Sequence, residues 1–371
     1  MKDENIHIPI IIGNSAPFRL VLRETDKWEP SIEEINNLKY DYVLLHRLSS
    51  FIDIGIAPFS MAIGFDGSLI LPALPEYKSR EAAADTLNRT LGIMLLGGVY
   101  SESVSPIDIS YGRLFVKGYY SISGGGSGHN ANFHRDIQNK YVGKLDSIKL
   151  MNPPVVLESD LQSAYKKGSE IYSKLGSLSA GLFLNGVSHF VKHQWVEALV
   201  SIWTSIEQLI NLIWQNEIVR KAANSEQKIT GRTNFLKDDH RTWTVAARIE
   251  MLFQNNYFKI EEYQLLNGIR KSRNEFIHKG IVPNESVLQN TMEVAFRIMS
   301  LIITKYSHTN SLDYARDNIL KNQRGELYPK KTKFEKDEVK FWMNIPPIPG
   351  DDSWKGKYEI IDELVLKPLK K

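Results

Sequence analysis

The sequence predicts an α+β fold, in which a mixed N-terminal region is followed by an all-α helical bundle. Short runs of β-branched and aromatic residues alternate with helical periodicity over the first 150 residues. Pro153 and Pro154 then interrupt the chain, because proline cannot continue a helix. Beyond them strand patterns disappear and long helical patterns follow. We therefore expect an α+β domain over 1–152, a helical bundle over 153–310, and a basic tail over 311–371 that packs on the body.

The N-terminal region contains both kinds of local pattern. Strands are predicted over 6–12, 18–24 and 113–122, and helices over 31–53 and 80–96. Ser31 follows Pro30 and can cap the first of these helices. The glycine-rich stretch 123–129 lacks the lysine of a P-loop and predicts a flexible loop. It ends at His129, and His134 and Arg135 follow closely, so a role of this loop in binding a substrate stays open.

The bundle is predicted from apolar residues spaced three or four apart. The clearest helix covers 194–217, where Trp195, Leu199, Ile202, Ile206, Leu209 and Ile213 form one stripe. Further helices are predicted over 159–175, 182–192, 245–253, 260–278 and 284–306. His189 and His193 lie one helical turn apart, a spacing that favours ordinary surface histidines over a metal site here, because no glutamate follows the first as in zinc proteases.

The amino-acid composition excludes several classes of protein. The chain has 42% hydrophobic and 24% charged residues and a net charge of +3, which excludes wholesale disorder and does not by itself indicate a nucleic-acid binder. The absence of cysteine excludes disulfides, thiolate metal sites and cysteine nucleophiles. The N-terminus does not resemble a secretory signal, and apolar runs such as 91–100 are shorter than the roughly 20 residues that span a bilayer. We expect a soluble, cytoplasmic protein without a membrane partner.

The segment 270–280 carries the candidate chemistry. On an ideal helix of about 100° per residue, Asn274 and His278 lie one turn apart on a polar stripe, and Arg270 lies one turn earlier. Arg273 lies on the flank. The opposite side carries the predicted core residues Leu265, Ile269, Ser272 and Phe276. Any solvated amphipathic helix shows a polar stripe of this kind, so the spacing alone also fits a purely structural helix.

The expected end of this helix adds an electrostatic argument. Gly280 is a natural C-terminal residue, so His278 lies near the negative end of the helix dipole, which favours the protonated ring. Arginine binds a phosphate through its planar fork, and histidine transfers protons near neutral pH. The combination suits phosphodiester chemistry.

The order of these residues resembles a known signature. Arg273-Asn274-Glu275-Phe276-Ile277-His278 resembles the HEPN superfamily motif, in which arginine precedes histidine by four to six intervening residues. The helix that contains Trp203, Ile206, Glu207 and Leu209 is similar to the Apea-like branch of that superfamily. The resemblance covers roughly 158–308 and does not extend to the first 150 residues.

The resemblance implies a metal-independent endoribonuclease without a cofactor, with RNA as substrate and a homodimer formed through the HEPN bundle. His278 would be the general acid/base, Arg273 would orient the scissile phosphate, and Asn274 would hold the pair in register. The 2′-OH would attack, giving a 2′,3′-cyclic phosphate. It further implies a toxin-like effector in antiviral defence or abortive infection, with an activator or inhibitor acting at the N-terminal domain. Because Arg273 and His278 are about 140° apart on one ideal helix, a second copy can complement them.

Glu207 and Arg270 are supporting candidates. Glu207 falls in line with Trp203, Ile210 and Trp214, an apolar setting in which a carboxylate needs a partner. It is either a salt-bridge partner that positions Arg273 or a rim glutamate. Two alternatives to the nuclease stay open: a non-catalytic HEPN-like module for dimerisation or for binding nucleotides and partners, and an enzyme whose chemistry lies in the N-terminal domain. The lysine cluster at 330–340 is solvated surface or a nonspecific phosphate contact.

Overall fold

A computed structural model describes residues 7–176, 178–225, 229–305 and 312–322, and the backbone of two short strands. The chain divides into two compact units, Met1–Gln323 and Arg324–Lys371. In the second unit the strands Tyr358–Ile360 and Leu366–Pro368 pair antiparallel. The predicted tail begins with a helix, Asp313–Asn322, within the first unit. The predicted packing of the tail beyond this helix, and the lysine cluster at 330–340, lie outside the described residues.

The first unit opens with a six-stranded antiparallel sheet. Its strands are β1 (His7–Gly13), β3 (Leu48–Ile52), β4 (Met61–Gly64), β5 (Leu69–Pro72), β6 (Ile109–Phe115) and β7 (Tyr120–Gly124), in the order β3-β4-β5-β1-β6-β7. Two further strands, β2 (Leu20–Leu22) and β8 (Val155–Leu157), pair in parallel and form a small second sheet. The chain is therefore mixed: an antiparallel sheet region precedes a helical region.

Two of the sequence-based boundaries are wrong. The single strand predicted over 113–122 is a hairpin of β6 and β7, because Gly118 adopts φ +77° and allows the chain to turn. The helix predicted over 31–53 is two short helices, α1 (Ile32–Asn36) and α2 (Tyr42–Leu45), followed by β3. Ser31 caps α1 as predicted, but Leu38 turns to φ +54° and ends the helical path.

The predicted helix over 80–96 is present as α3 (Arg80–Leu96), which Ser79 caps. Two helices were missed in the sheet region, α4 (His129–Asn139) and α5 (Lys144–Ser147). The helical region contains α6 (Glu158–Leu175), α7 (Ala180–Val191), α8 (Trp195–Trp214), α9 (Arg220–Ala223), α10 (Arg232–Asp238), α11 (Val245–Gln254), α12 (Ile260–Lys279), α13 (Glu285–Ile303) and α14 (Asp313–Asn322).

The helix α8 lies at the centre of the helical region and packs against α7, α11 and α13. Its Trp203 and Trp214 are fully buried, as the broad apolar stripe predicts. By length and composition, the run Trp195–Ala223 is the one helix of the described chain apolar enough to cross a membrane. Half of its most apolar stretch is buried inside the protein, which is the pattern of a core helix.

The helix α3 joins the sheet region to the helical region, because it packs against both α6 and α7. Gly168 of α6 lies where α6 crosses the C-terminal end of α3. A Cβ at Gly168 would lie 1.9 Å from the carbonyl oxygen of Ile93, and one at Gly97 would lie 1.9 Å from the carbonyl oxygen of Ala164. The two helices therefore approach each other backbone to backbone, which only glycine permits.

We expect the Gly168→Ala variant to lose about 1–3 kcal/mol of unfolding free energy, because the new methyl group must push α3 and α6 apart. Gly268→Ala is the matched control. Gly268 lies in α12 with nothing near its missing Cβ, so alanine there should stabilise by up to about 1 kcal/mol. Urea denaturation of both variants checks the prediction. The same unfolding midpoint for Gly168→Ala and Gly268→Ala would contradict the close crossing of α3 and α6.

Candidate functional site

The helix α12 positions the predicted motif. At its start the side chain of Glu262 accepts a hydrogen bond from the backbone N–H of Lys259 (2.9 Å). At its end Gly280 adopts φ +69° and donates its N–H to the carbonyl oxygen of Phe276 (2.8 Å). The prediction that the helix ends at Gly280 is confirmed. His278 consequently lies in the last turn, where backbone carbonyl groups lack helical partners.

The burial of α12 is one-sided. Glu262, Leu266 and Ile269 are its buried residues, and they face the neighbouring helices. Asn274 is half-buried and His278 is exposed. The polar stripe therefore faces solvent rather than the core of its own helical region, so a ligand can reach it.

A shallow, solvent-open depression of about 510 Å³ runs along this stripe, and all of its lining residues belong to α12. We call it the α12 groove. Arg270, Asn274 and His278 line it together with Tyr263, Asn267, Lys271, Glu275 and Lys279. The structure thus brings together three of the five predicted site residues. The basic side chains in the groove outnumber the acidic ones, which favours an anionic ligand.

Arg270 is the guanidinium that shares this groove with His278. Its Nη2 atom donates to the Oδ1 atom of Asn267 at 3.4 Å, a weak contact. Its Nε atom is buried and has no hydrogen-bond partner within the described part of the chain. The terminal nitrogens of this guanidinium, beside an exposed imidazole, can bind a phosphate in the groove.

Arg273 does not line the α12 groove, although it was the principal arginine of the sequence motif. It is half-buried one turn after the buried Ile269, on the same side of the helix, and not on the flank as predicted. Its Nη1 atom donates to the Oδ1 atom of Asn274 at 3.3 Å. Asn274 therefore connects Arg273 to the groove. Within one chain, Arg273 and His278 point to different sides of α12.

Glu207 occupies the environment that its sequence position predicts. It is half-buried on α8, and its Oε1 atom accepts a hydrogen bond from the indole Nε1 of Trp203 at 2.5 Å. No ion pair between Glu207 and Arg273 occurs among the described residues. Within one chain, the Glu207 carboxylate is thus hydrogen-bonded to the Trp203 indole and not paired with the Arg273 guanidinium.

Sequence reasoning missed a second polar cluster, which is centred on Asp66 in the turn between β4 and β5. Its Oδ2 atom accepts hydrogen bonds from His134 Nδ1 (2.8 Å), Ser68 Oγ (2.9 Å) and Gln138 Nε2 (3.1 Å). Its Oδ1 atom accepts from the Tyr120 hydroxyl (2.5 Å) and the Ser68 backbone N–H (2.9 Å). We call these five residues the Asp66 network. The sequence signal that could have indicated this cluster is a carboxylate in the tight turn between two strands that are buried along their whole length.

Burial by itself raises the pKa of the Asp66 carboxyl group. The charge and hydrogen bond of His134, together with the Tyr120 and Ser68 donors, outweigh burial and hold that pKa below its ordinary value. Burial, and then the charge of Asp66, raise the pKa of Tyr120 well above its ordinary value. Asp66 is thus an ionised carboxylate inside the protein, and its neighbours are its hydrogen-bond donors.

The remaining sequence signals give no metal site. Among the described residues, no group of three or more histidine, aspartate or glutamate side chains is placed to hold a metal ion. His189 contacts Gln194 through Nδ1 at 2.6 Å. In the glycine-rich stretch, Gly128 packs against the Asp108 carboxylate too closely for a Cβ. His134 lies in α4 and is buried, so it is not part of an exposed loop.

Comparisons of the chain with protein-family models, with curated proteins and with solved structures find no match.

Proposed function

We propose that the chain is a metal-independent endoribonuclease of the HEPN type. The observation that carries the proposal is the α12 groove, where an exposed histidine, a half-buried asparagine and a half-buried arginine share a solvent-open surface with lysines. Histidine and arginine are the groups that phosphodiester cleavage needs when no metal ion takes part.

In the proposed reaction, Arg270, Lys271 and Lys279 bind the RNA backbone and place the scissile phosphate near His278. His278 takes the proton of the ribose 2′-OH while the O2′–P bond forms. The P–O5′ bond breaks, the leaving 5′-oxygen takes a proton from water, and His278 returns its proton to the solvent. Arg273 stabilises the charge that develops on the phosphate oxygens. The products are a 2′,3′-cyclic phosphate and a 5′-hydroxyl end.

Because Arg273 lies outside the groove of its own chain, the proposal requires a homodimer in which each copy supplies Arg273 to the groove of the other. Exposed apolar side chains next to His278 support this arrangement. Ile277, Ile281 and Val282 are 46%, 51% and 63% exposed at the C-terminal end of α12. Such a patch beside a polar site is typical of an interaction surface.

We expect the double variant Ile281→Asp, Val282→Asp to weaken dimerisation at least tenfold, because charges would replace apolar contacts at the interface. Val116→Asp is the matched control, since Val116 is equally exposed but lies in the hairpin between β6 and β7. Sedimentation equilibrium measures the dimer dissociation constant. An unchanged constant in the double variant would exclude this end of α12 from the interface.

The test of the activity is incubation of the full chain with single-stranded RNA in EDTA. We expect cleavage, with products that carry a 2′,3′-cyclic phosphate, and no cleavage of RNA that is 2′-deoxy at the scissile position, because the 2′-OH is the nucleophile. Cleavage that EDTA abolishes, or cleavage of the deoxy substrate, would contradict the mechanism.

The second candidate is a non-catalytic HEPN-like module that dimerises or binds nucleotides or partners. Two observations favour it: Arg273 lies outside the α12 groove, and Glu207 contacts Trp203 instead of Arg273. This candidate predicts that the chain binds RNA or nucleotides at the basic groove without cleaving them, in EDTA and with Mg²⁺ alike.

The proposed biological role is that of a toxin-like effector in the cytoplasm, used in antiviral defence or abortive infection. A ribonuclease of this kind must be restrained in the uninfected cell. The sheet region is the proposed site for an activator or inhibitor, and α3 would connect it to the helical region.

A further inference from the structure

A small cavity lies next to the Asp66 network, between the loop that precedes β2, the turn between β4 and β5, and the helices α3 and α6. The centres of water-sized molecules can occupy about 30 Å³ of it, which corresponds to one or two waters. Its walls are mostly apolar, with four donor-bearing side chains: Ser15, Arg19, Ser101 and His134. The Asp66 carboxylate also lines it, and both of its oxygens already accept hydrogen bonds within the Asp66 network. Apolar walls with few polar groups are typical of ligand sites.

Arg19 is a half-buried cation that lines this cavity. Its Nη2 atom donates to the carbonyl oxygen of Tyr100 at 2.5 Å, and it makes no ion pair with any carboxylate of the described chain. Burial lowers the pKa of the Arg19 guanidinium. Removing a charge from water without a counter-charge is costly, so an anion would compensate this group.

The backbone around Arg19 is held close to the Asp66 turn. Gly67 adopts φ +82°, and a Cβ there would lie 2.6 Å from the Arg19 carbonyl oxygen. This close approach holds the backbone of Arg19 against the Asp66 turn, and the hydrogen bond to the Tyr100 carbonyl oxygen holds its guanidinium. Arg19 and the Asp66 turn therefore border the same cavity.

His134 supplies the second polar group. Its Nδ1 atom contacts Asp66 at 2.8 Å and Ser68 at 3.2 Å, and its Nε2 atom makes no hydrogen bond within the described chain. The residue is 3% exposed and lines the cavity. A doubly protonated ring would donate Nδ1–H to Asp66 and leave Nε2–H for a ligand.

We propose that this cavity binds a small anionic group, a phosphate or a carboxylate, which Arg19 and His134 hold from two sides while Ser15 and Ser101 can donate further hydrogen bonds. The enclosed space has room for one or two heavy atoms, so it would take oxygen atoms of such a group while the rest of the ligand extends to solvent. The proposal does not depend on RNA cleavage at α12.

The test is thermal unfolding of the full chain with increasing inorganic phosphate, or acetate, against chloride at the same ionic strength. We expect saturable stabilisation by one of the two anions. Arg19→Gln should raise the apparent Kd of that anion about tenfold or more, because a charge-assisted contact is lost. Arg89→Gln is the control, since Arg89 is exposed on α3 and does not line the cavity. Its Kd should match that of the parent chain.

Two further measurements make the outcome decisive. In chloride buffer without phosphate or acetate, Arg19→Gln should unfold at the same or a higher temperature, because a half-buried charge without a counter-charge is removed. If it does not fold, Ser101→Ala replaces it in the titration. Imidazole NMR should show the His134 resonances shifting with anion concentration.

A larger thermal stabilisation by phosphate indicates a phosphoryl ligand, and a larger stabilisation by acetate indicates a carboxylate. No saturable effect of either anion, or equal effects in the parent and Arg19→Gln, would overturn the proposal.

Discussion

Replacing His278 by alanine is expected to lower the rate of RNA cleavage by about 10²–10⁴-fold, the usual contribution of a general acid or base. The side chain is exposed at the end of α12, so its removal should leave the fold intact. Single-turnover cleavage of a labelled RNA measures the rate. His240→Ala is the matched control, because His240 is an exposed histidine in the loop before α11. A parent-like rate for His278→Ala would refute the site assignment.

The two candidate arginines can be separated by mixing variants. If Arg273 of one copy completes the groove of the other, then His278→Ala and Arg273→Ala are each inactive alone. Statistical mixing of the two makes half of the dimers mixed, and each mixed dimer has one intact site, so about a quarter of the parent activity should return. No recovery, with Arg270→Ala inactive, would assign the phosphate contact to Arg270 within one chain.

Replacing Asp66 by asparagine is expected to cost about 3–5 kcal/mol of unfolding free energy at neutral pH. Both carboxylate oxygens accept hydrogen bonds, so the new NH₂ group faces existing donors in either orientation. On one side it meets the Tyr120 hydroxyl and on the other His134 and Gln138. Unpaired donors inside a protein are costly. Urea denaturation measures the change.

The effect should depend on pH in a defined direction. The pKa of Asp66 is lower in the folded chain than its ordinary value of 3.8, so the unfolded chain binds more protons. The stabilisation is therefore fully present above that value and is lost as the pH falls through the folded pKa. The gap between parent and Asp66→Asn should narrow below about pH 4. Asp41→Asn is the control, because asparagine caps α2 as well as aspartate does. Equal losses in both variants would exclude a special role for the network.

The sequence by itself determined the local elements with strong periodicity. The limits of α3 were predicted correctly, and those of α12 and α13 to within one to three residues. Apolar residues at helical spacing indicate the extent of a helix, and capping residues such as Asn284 and Gly280 mark its ends. The exposure of His278 followed from the same periodicity, whereas Asn274 on the same stripe is half-buried. Short elements were less well predicted, since α1, α2 and the β6–β7 hairpin depend on single turn residues such as Leu38 and Gly118.

Only the tertiary structure decided which side chains meet. Helical geometry placed Arg270 on the polar stripe, but the way α12 packs determined that Arg270 lines the groove and Arg273 does not. Asp66 and His134 are 68 residues apart, and their contact requires β4, β5 and α4 to be assembled first. Periodicity encodes how each segment faces the core, whereas a pairing between distant segments depends on strand order and helix packing that no local pattern contains.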